Sequence, residues 1–215
     1  HLDALFAELP IFLRHYQDFN EEETVEELRS KSAVLPIGIE FKITPNDPIP
    51  PKSGPPTILW NQRWEFDKNP AGFFEVLRQF KRDGGRFKLI VCGERFGKTA
   101  DLFDAAQIEF AHELIHFGYA NSHDYLNLLH QSDIVISTAF HEFFGISILE
   151  AIAAGAFPLL PNRLSYPELI PKEHHKFVLY NNQPELLSKL HTLSKNLTEF
   201  TPMQNQIGRA SCRER

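Results

Sequence analysis

Apolar and polar positions along residues 57–195 predict strands and helices in regular alternation. The predicted strands are TILWN, FKLIVCG, LIHFGY, DIVIS, AFPLL and HKFVLY, and the predicted helices cover about 70–81, 100–112, 122–131, 145–154 and 184–195. Short apolar strands that alternate with helices form a parallel sheet whose two faces are both covered by helices. We therefore predict an α/β fold with a doubly wound, Rossmann-like parallel sheet for residues 57–200.

Residues 1–43 follow a different pattern. Two segments have helical spacing and apolar faces, LDALFAEL, which Pro10 is expected to end, and the acidic-started EEETVEELRSK. AVLPIGIEF at 33–41 predicts a short strand and a turn, and residues 44–56 contain six prolines, typical of a stiff extended linker. We predict a domain boundary in this linker.

The two ends of the chain differ from what a complete natural protein is expected to show. Residues 203–215, ending in IGRASCRER, depart abruptly from the preceding pattern, and we expect them to be a tail foreign to the natural protein and outside the fold. The chain begins at His1 without a methionine, from which we expect an upstream part to be missing.

Composition limits the classes of protein that remain. The 215 residues are 42% hydrophobic, enough to build a core, and the formal net charge of −6 provides no basic field for nucleic acid. An RNA substrate would therefore need a local patch or sequence outside this chain. Two cysteines do not make a disulfide framework, no apolar run approaches the roughly 20 residues of a membrane span, and no secretory signal is visible. We expect a cytoplasmic protein that does not bind membranes.

Two carboxylates, Glu142 and Glu150, flank the start of the helix predicted after DIVIS. A strand that leads into a helix directs free N–H groups and the positive end of the helix dipole at a ligand, which suits phosphate or sugar oxygens. In doubly wound sheets, ligands bind at the carboxyl ends of the strands near the switch in strand order, where residues 61–68, Gly93, Gly118 and Glu142 are expected to gather. The simpler alternatives are a helix-terminal carboxylate for Glu142 and an exposed helix charge for Glu150.

Several segments resemble a known enzyme family. The spacing of Glu142 and Glu150, the FFG between them and the following EAIAAGAFPLL are similar to the donor site of retaining GT-B glycosyltransferases of group 1, or family 4. Three further segments resemble the tRNA-queuosine α-mannosyltransferases and their bacterial relatives, namely STAFHEFFG, PNRLSYPEL and ILWNQRWEFDKNP. The likeness covers most of residues 1–180.

The resemblance implies roles for particular residues. Glu142 would bind hydroxyls of the transferred sugar, and Glu150 would bind hydroxyls of the ribose. Arg63 and Lys68 would hold the donor diphosphate, because the leaving group develops negative charge as the sugar C–O bond breaks; without that context they are ordinary solvated charges. The remaining binding residues are backbone contacts, namely Phe143, Phe144 and Gly145 at the sugar and phosphate, and Gly118 and Tyr119 at the base. Tyr119 is equally compatible with a plain surface aromatic.

The resemblance also implies an organisation and a reaction. Residues 1–43 would be the trailing helices of the acceptor-side domain, and residues 57–200 the nucleotide-sugar-binding domain. The donor would be GDP-mannose as a co-substrate, without a cofactor or metal. The acceptor would be queuosine in tRNA, bound through the missing domain, and the anomeric configuration would be retained. We expect this chain to bind the donor without transferring the sugar.

Two other motifs give competing hypotheses. HELIH at 112–116 is a literal H-E-x-x-H zinc peptidase signature, which requires one continuous helix through both histidines, whereas 114–117 reads as a strand. GERFGKT at 93–99 resembles a phosphate-binding P-loop with one residue too few between its glycines, and a turn that uses Gly93 for close approach of donor or backbone is simpler. A binding module that keeps the donor pocket without turnover is a further alternative.

Overall fold

The computed structural model describes residues 2–18, 20–35, 38–39, 54–94 and 100–213. The chain divides into two compact units, residues 1–38 and residues 39–215. Most of the predicted linker at 44–56 and residues 95–99 of GERFGKT lie outside the described residues. Within the described residues, no helix combines the length and the apolar character needed to cross a membrane.

The first unit contains two helices, α1 at Leu2–Leu13 and α2 at Val25–Lys31, with a 3-10 turn at Glu22–Thr24 before α2. The prediction that Pro10 ends the first helix is wrong, because α1 continues three residues beyond it. Proline lacks the N–H that would bond the preceding turn and crowds the carbonyl there, but the carbonyl of Pro10 still accepts from the N–H of Arg14 at 3.2 Å. The described residues of the predicted strand AVLPIGIEF have no regular secondary structure.

The second unit has six strands and eight further helices among its described residues. The strands are β1 at Thr57–Asn61, β2 at Lys88–Cys92, β3 at Leu114–Gly118, β4 at Ile134–Ile136, β5 at Phe157–Pro161 and β6 at Leu179–Tyr180. The helices are α3 at Pro70–Arg82, α4 at Ala100–Glu109, α5 at Ser122–Gln131, α6 at Ile146–Ala153, α7 at Tyr166–Leu169, α8 at His175–Val178, α9 at Gln183–Asn196 and α10 at Thr201–Arg213.

The strands form one parallel sheet in the order β3-β2-β1-β4-β5-β6. Every residue of β1, β4 and β5 is buried, as expected for a sheet covered on both faces. Helix α3 packs with α4 and α9, while α6 packs with α5 and α10. The predicted doubly wound fold is confirmed, and its strand order reverses between β1 and β4.

The C-terminal part differs from the prediction in two places. HKFVLY was predicted as a strand, but its first four residues form α8 and only two residues pair with β5. The apolar residues of this segment predicted a strand, but His175 is held by hydrogen bonds of its ring to the carbonyls of Pro167 and Ile170 at 3.0 and 2.9 Å. The exclusion of residues 203–215 from the fold also fails for α10, which packs on α6 and buries Ile207. A foreign origin of that segment stays a prediction.

Candidate functional site

The loops that follow β1 and β4 are joined to each other at the carboxyl edge of the sheet. The N–H groups of Phe140 and His141 donate to the carbonyl of Asp67 at 2.7 and 3.3 Å. The Thr138 hydroxyl contacts the carbonyls of Lys68 and Asn69 at 3.0 and 2.9 Å. Because β1 and β4 are neighbours in the sheet, two loops about 70 residues apart form one structure at the switch in strand order.

Lys68 is the buried cation of this structure, with 8% of its surface exposed. Its Nζ donates to the carbonyl of His141 at 2.7 Å and lies 3.3 Å from carboxylate oxygens of both Asp67 and Glu142. A charge removed from water needs such partners. The structure therefore brings Lys68 and Glu142 together as a direct ion pair.

Glu142 also holds the start of α6. Its Oε1 accepts from the N–H groups of Phe144 and Gly145 at 3.2 and 3.0 Å, and Gly145 begins the helix with a φ of 88°. Two of the amides expected to meet sugar and phosphate are thus occupied by Glu142 itself. The side chain of Phe143 is 81% exposed at the same loop. The simple helix-terminal role of Glu142 is real in this structure, and the contact with Lys68 is additional to it.

Glu150 lies on α6 and is partly buried. Its Oε2 accepts a hydrogen bond from the Tyr125 hydroxyl at 3.0 Å, and Asn61 at the end of β1 donates to that hydroxyl at 3.0 Å. Burial, and secondarily the charge of Glu150, raises the pKa of Tyr125, so its hydroxyl stays protonated as a donor. Glu150 was predicted as a binding residue and Tyr125 was not, because the only signal for Tyr125 in the sequence is its position on the apolar face of a predicted helix.

The other predicted binding residues lie at the same edge without joining the ion pair. The Arg63 side chain is 59% exposed and pairs with Glu65 at 3.1 Å. Gly118 ends β3 with a φ of 127°, and its carbonyl accepts from the N–H of Gly93 at 3.1 Å. Tyr119 is 72% exposed, which agrees with the surface-aromatic alternative and leaves a base contact as a prediction.

A buried polar cluster supports the loop after β4 and was not predicted. The Ser137 hydroxyl accepts from Gln62 at 2.8 Å and bonds the Tyr166 hydroxyl at 2.6 Å, while the Tyr180 hydroxyl donates to the Ser137 carbonyl at 2.7 Å. Arg163 donates to the carbonyl of Ala139 at 2.9 Å. These residues come from separate elements, so no local sequence pattern could have grouped them.

The two competing motifs meet different outcomes. The predicted strand through HELIH is confirmed, since Leu114–Gly118 is β3 and His112 lies in the turn after α4. The His116 ring bonds the carbonyl of Gly118 at 3.1 Å. The helix that a zinc peptidase requires is therefore absent from this segment. For GERFGKT, the described Gly93 makes a close backbone approach, because a Cβ there would lie 2.1 Å from the carbonyl oxygen of Gln62.

A surface depression of 790 Å³ lies elsewhere, at the amino edge of the sheet beside residues 54–56 and 83–86. Arg86 and Lys195 line it, and they follow or end helices α3 and α9. Lys195 lies in the last turn of α9, where a cation neutralises the negative end of the helix dipole and needs no ligand to explain it. Ligands of doubly wound sheets bind at the opposite edge, where Lys68 and Glu142 lie.

Comparison with known proteins agrees with this geometry. The family described as "Glycosyl transferases group 1" matches residues 44–210, most of the chain. This chain belongs to the group 1 glycosyl transferases. The resemblance found in the sequence is confirmed, and the predicted fold is that of the Rossmann-like domain of GT-B glycosyltransferases.

Individual relatives of this group 1 chain cover it to different extents. The tRNA-queuosine alpha-mannosyltransferase of Drosophila melanogaster is 33% identical over 204 residues, 91% of this chain and 53% of the fly protein. The GDP-mannose:cellobiosyl-diphosphopolyprenol alpha-mannosyltransferase of Xanthomonas campestris is 27% identical over 106 residues, 48% of this chain and 28% of that protein. The chain thus spans about half the length of the fly relative, and the match covers a smaller share of the bacterial relative.

A solved structure shows the shared fold. The catalytic domain of cholesterol-alpha-glucosyltransferase from Helicobacter pylori superposes with a TM-score of 0.61 at 21% identity, covering 75% of this chain and 100% of that domain. At this identity the likeness concerns the fold, and the chemistry of the site rests on the residues described above.

Proposed function

We propose that this chain is the donor-binding part of a glycosyltransferase that transfers mannose from GDP-mannose to queuosine in tRNA, with retention of configuration. The observation that carries the proposal is the buried pair of Lys68 and Glu142 at the switch in strand order. Family membership supports the reaction class. The name of the fly relative supports mannose and queuosine, and that of the Xanthomonas relative supports GDP-mannose.

Lys68 supplies positive charge to the leaving diphosphate. Negative charge develops on that group as the anomeric C–O bond breaks, and a preorganised ammonium at low dielectric stabilises it more than water does. Before the donor binds, Asp67 and Glu142 neutralise the ammonium at 3.3 Å. The shorter bond to the His141 carbonyl, 2.7 Å, keeps Lys68 in place while diphosphate oxygens replace the carboxylate contacts.

Glu142 and the start of α6 bind the transferred sugar. When the diphosphate takes over Lys68, the Glu142 carboxylate can turn to accept sugar hydroxyls, and the N–H groups of Phe144 and Gly145 become available to the donor. Arg63 is exposed and can fork onto two phosphate oxygens. Glu150 accepts the ribose hydroxyls, and Gly118 and Tyr119 border the base.

The positive charge in this proposal comes from side chains, so the donor needs no metal ion to bind. The acceptor tRNA would be held through the part of the relatives that this chain does not span. A tRNA substrate also agrees with the expected cytoplasmic location. No specific observation favours a zinc peptidase or a module without turnover.

Calorimetric titration of the chain with GDP, UDP, ADP and GDP-mannose tests the proposal. We expect GDP and GDP-mannose to bind best. Lys68→Ala should lower their affinity roughly ten- to a hundredfold, because it removes a charge-assisted hydrogen bond. Lys88→Ala is the matched control, since Lys88 is an exposed lysine at the amino end of β2. Equal affinities of the two variants, or no binding of any nucleotide by a folded sample, would contradict the proposal.

A further inference from the structure

A directed chain of hydrogen bonds leads from the backbone of α6 to the carboxylate of Glu150. Asn61 Nδ2 donates to the carbonyl of Ser147 at 2.7 Å and to the Tyr125 hydroxyl at 3.0 Å. The Tyr125 hydroxyl lies 3.0 Å from Glu150 Oε2. The members come from β1, α5 and α6, so the chain depends on the packing of three elements at the carboxyl edge of the sheet.

The chemistry of the first member sets the direction of all the others. A backbone carbonyl only accepts, so Asn61 must turn its amide nitrogen toward Ser147 and, with it, toward Tyr125. The Tyr125 hydroxyl accepts from Asn61, and its one proton is left for Glu150. Glu150 is therefore held as an acceptor through Oε2.

The second oxygen of Glu150 is in a different situation. Within the described ranges, Oε1 of Glu150 has no hydrogen-bond partner. Asn61 is 5% exposed and cannot turn to solvent without breaking two bonds. One carboxylate oxygen is thus fixed by buried groups, and the other remains able to accept from hydroxyl donors.

We propose that Tyr125 and Asn61 are positioning residues that aim Oε1 of Glu150 at the ribose hydroxyls of the donor. The inference rests on the proposed function, which assigns the ribose to Glu150. Holding a glutamate in one rotamer before binding lowers the entropy lost when a ligand orders it. Tyr125 and Asn61 act through Glu150, and their effect should therefore depend on the hydroxyls that Glu150 binds.

Tyr125→Phe tests this, because it keeps the ring and removes only the hydroxyl. Wild type and variant are titrated with GDP and UDP and with the 2′,3′-dideoxy form of each. We expect the affinity of the variant for the better ribonucleotide to fall roughly tenfold, the size of one hydrogen bond to a charged group. Its affinity for the dideoxy form should not change. Tyr16→Phe, at an exposed tyrosine of the first unit, is the matched control and should alter neither.

A double-mutant cycle separates positioning from a structural effect. In a Glu150→Ala background, Tyr125→Phe should have no further effect on ribonucleotide affinity. An equal loss for ribo and dideoxy ligands, a loss that persists without Glu150, or no loss at all would each overturn the inference. If the wild type binds the ribonucleotide and its dideoxy form equally well, the inference is overturned, but the proposal that the chain binds a nucleotide still holds. A folded wild type that binds no nucleotide would instead refute the proposed function and the inference together.

Discussion

Glu142 shows how two explanations of one side chain can both hold. A carboxylate at the start of a helix stabilises the free N–H groups and the helix dipole. Such carboxylates are common in proteins and need have no role in binding or catalysis. Glu142 does this with Oε1, through Phe144 and Gly145. Its Oε2 meets the buried ammonium of Lys68 at 3.3 Å. The second contact is what sets this carboxylate apart from an ordinary cap.

Cys92 leads to a prediction about alkaline stability. Burial raises the pKa of its thiol from 9.0 to about 12, while in the unfolded chain it titrates near its ordinary value. The folded state therefore keeps a proton that the unfolded state loses. The resulting stability is complete below about pH 9 and is lost as pH rises toward 12. We expect the free energy of unfolding, measured by urea denaturation, to fall across this window.

The matched variant for this prediction is Cys92→Val, which keeps an apolar side chain of similar size at a position 4% exposed. The variant should lose less stability than wild type over the lower part of the window. Buried tyrosines, including Tyr166 and Tyr180, have pKa values raised by burial and add to the loss at higher pH in both proteins. Identical pH profiles for the two proteins would show that the thiol plays no part.

At the scale of elements, glycines decide where the chain can turn or approach another segment. Gly155 closes α6, as predicted, two residues after the last helical residue, Ala153. The N–H of Gly155 bonds the carbonyl of Ile152 at 3.0 Å, and the N–H of Ala156 bonds the carbonyl of Ala151 at 2.9 Å. These two bonds and a φ of 96° at Gly155 form a Schellman ending. Gly93 has a different purpose, since it lets β2 end against the loop that follows β1.

Gly93→Ala should disrupt that approach. Its Cβ would lie 2.1 Å from the Gln62 carbonyl oxygen and 2.6 Å from the Trp64 ring, so backbone must move. We expect a loss of about 1–3 kcal/mol in unfolding free energy, the usual cost of overpacking, with weaker nucleotide binding because the displaced loop leads to Lys68. Gly38→Ala, where nothing lies within 4 Å of an added Cβ, is the control. Chemical denaturation of both variants checks this, and equal stability would show that the loop yields without cost.

At the scale of the whole molecule, we predict that this chain binds a nucleotide sugar and transfers nothing. It aligns with 53% of the fly relative, and in the resembling architecture the acceptor lies across a cleft on another domain. Transfer requires both reactants to be held in a reactive geometry with water excluded. Binding should remain, because Lys68, Glu142 and Glu150 lie within the second unit.

The measurement compares calorimetry with GDP-mannose and a transfer assay on tRNA that contains queuosine. The Drosophila melanogaster relative provides the positive control for the assay. Transfer by the 215-residue chain alone would show that one domain is enough for catalysis and would contradict the prediction.

The fold class of the second unit and most of its elements could be predicted from the amino-acid sequence, but α7, α8 and α10 could not. Apolar runs and helical spacing predicted every strand from β1 to β5 and the start of α6. A strand covered on both faces must consist almost entirely of apolar residues, whatever its place in the sheet. Glu142, Glu150 and Lys68 were found by motif and family likeness. The sequence pattern gave the wrong prediction at Pro10, where α1 continues, and at His175–Val178, where a helix forms in place of a strand.

Which of these residues come into contact depends on the packing of segments that are far apart in the chain. Strand order places β1 beside β4, and that adjacency, invisible in any local pattern, puts Lys68 against Glu142. The same packing of three elements brings Asn61 and Tyr125 to Glu150. Hydrogen bonds depend on distances of a few ångströms between segments far apart in the chain, whereas sequence periodicity reports only which face of each segment is buried.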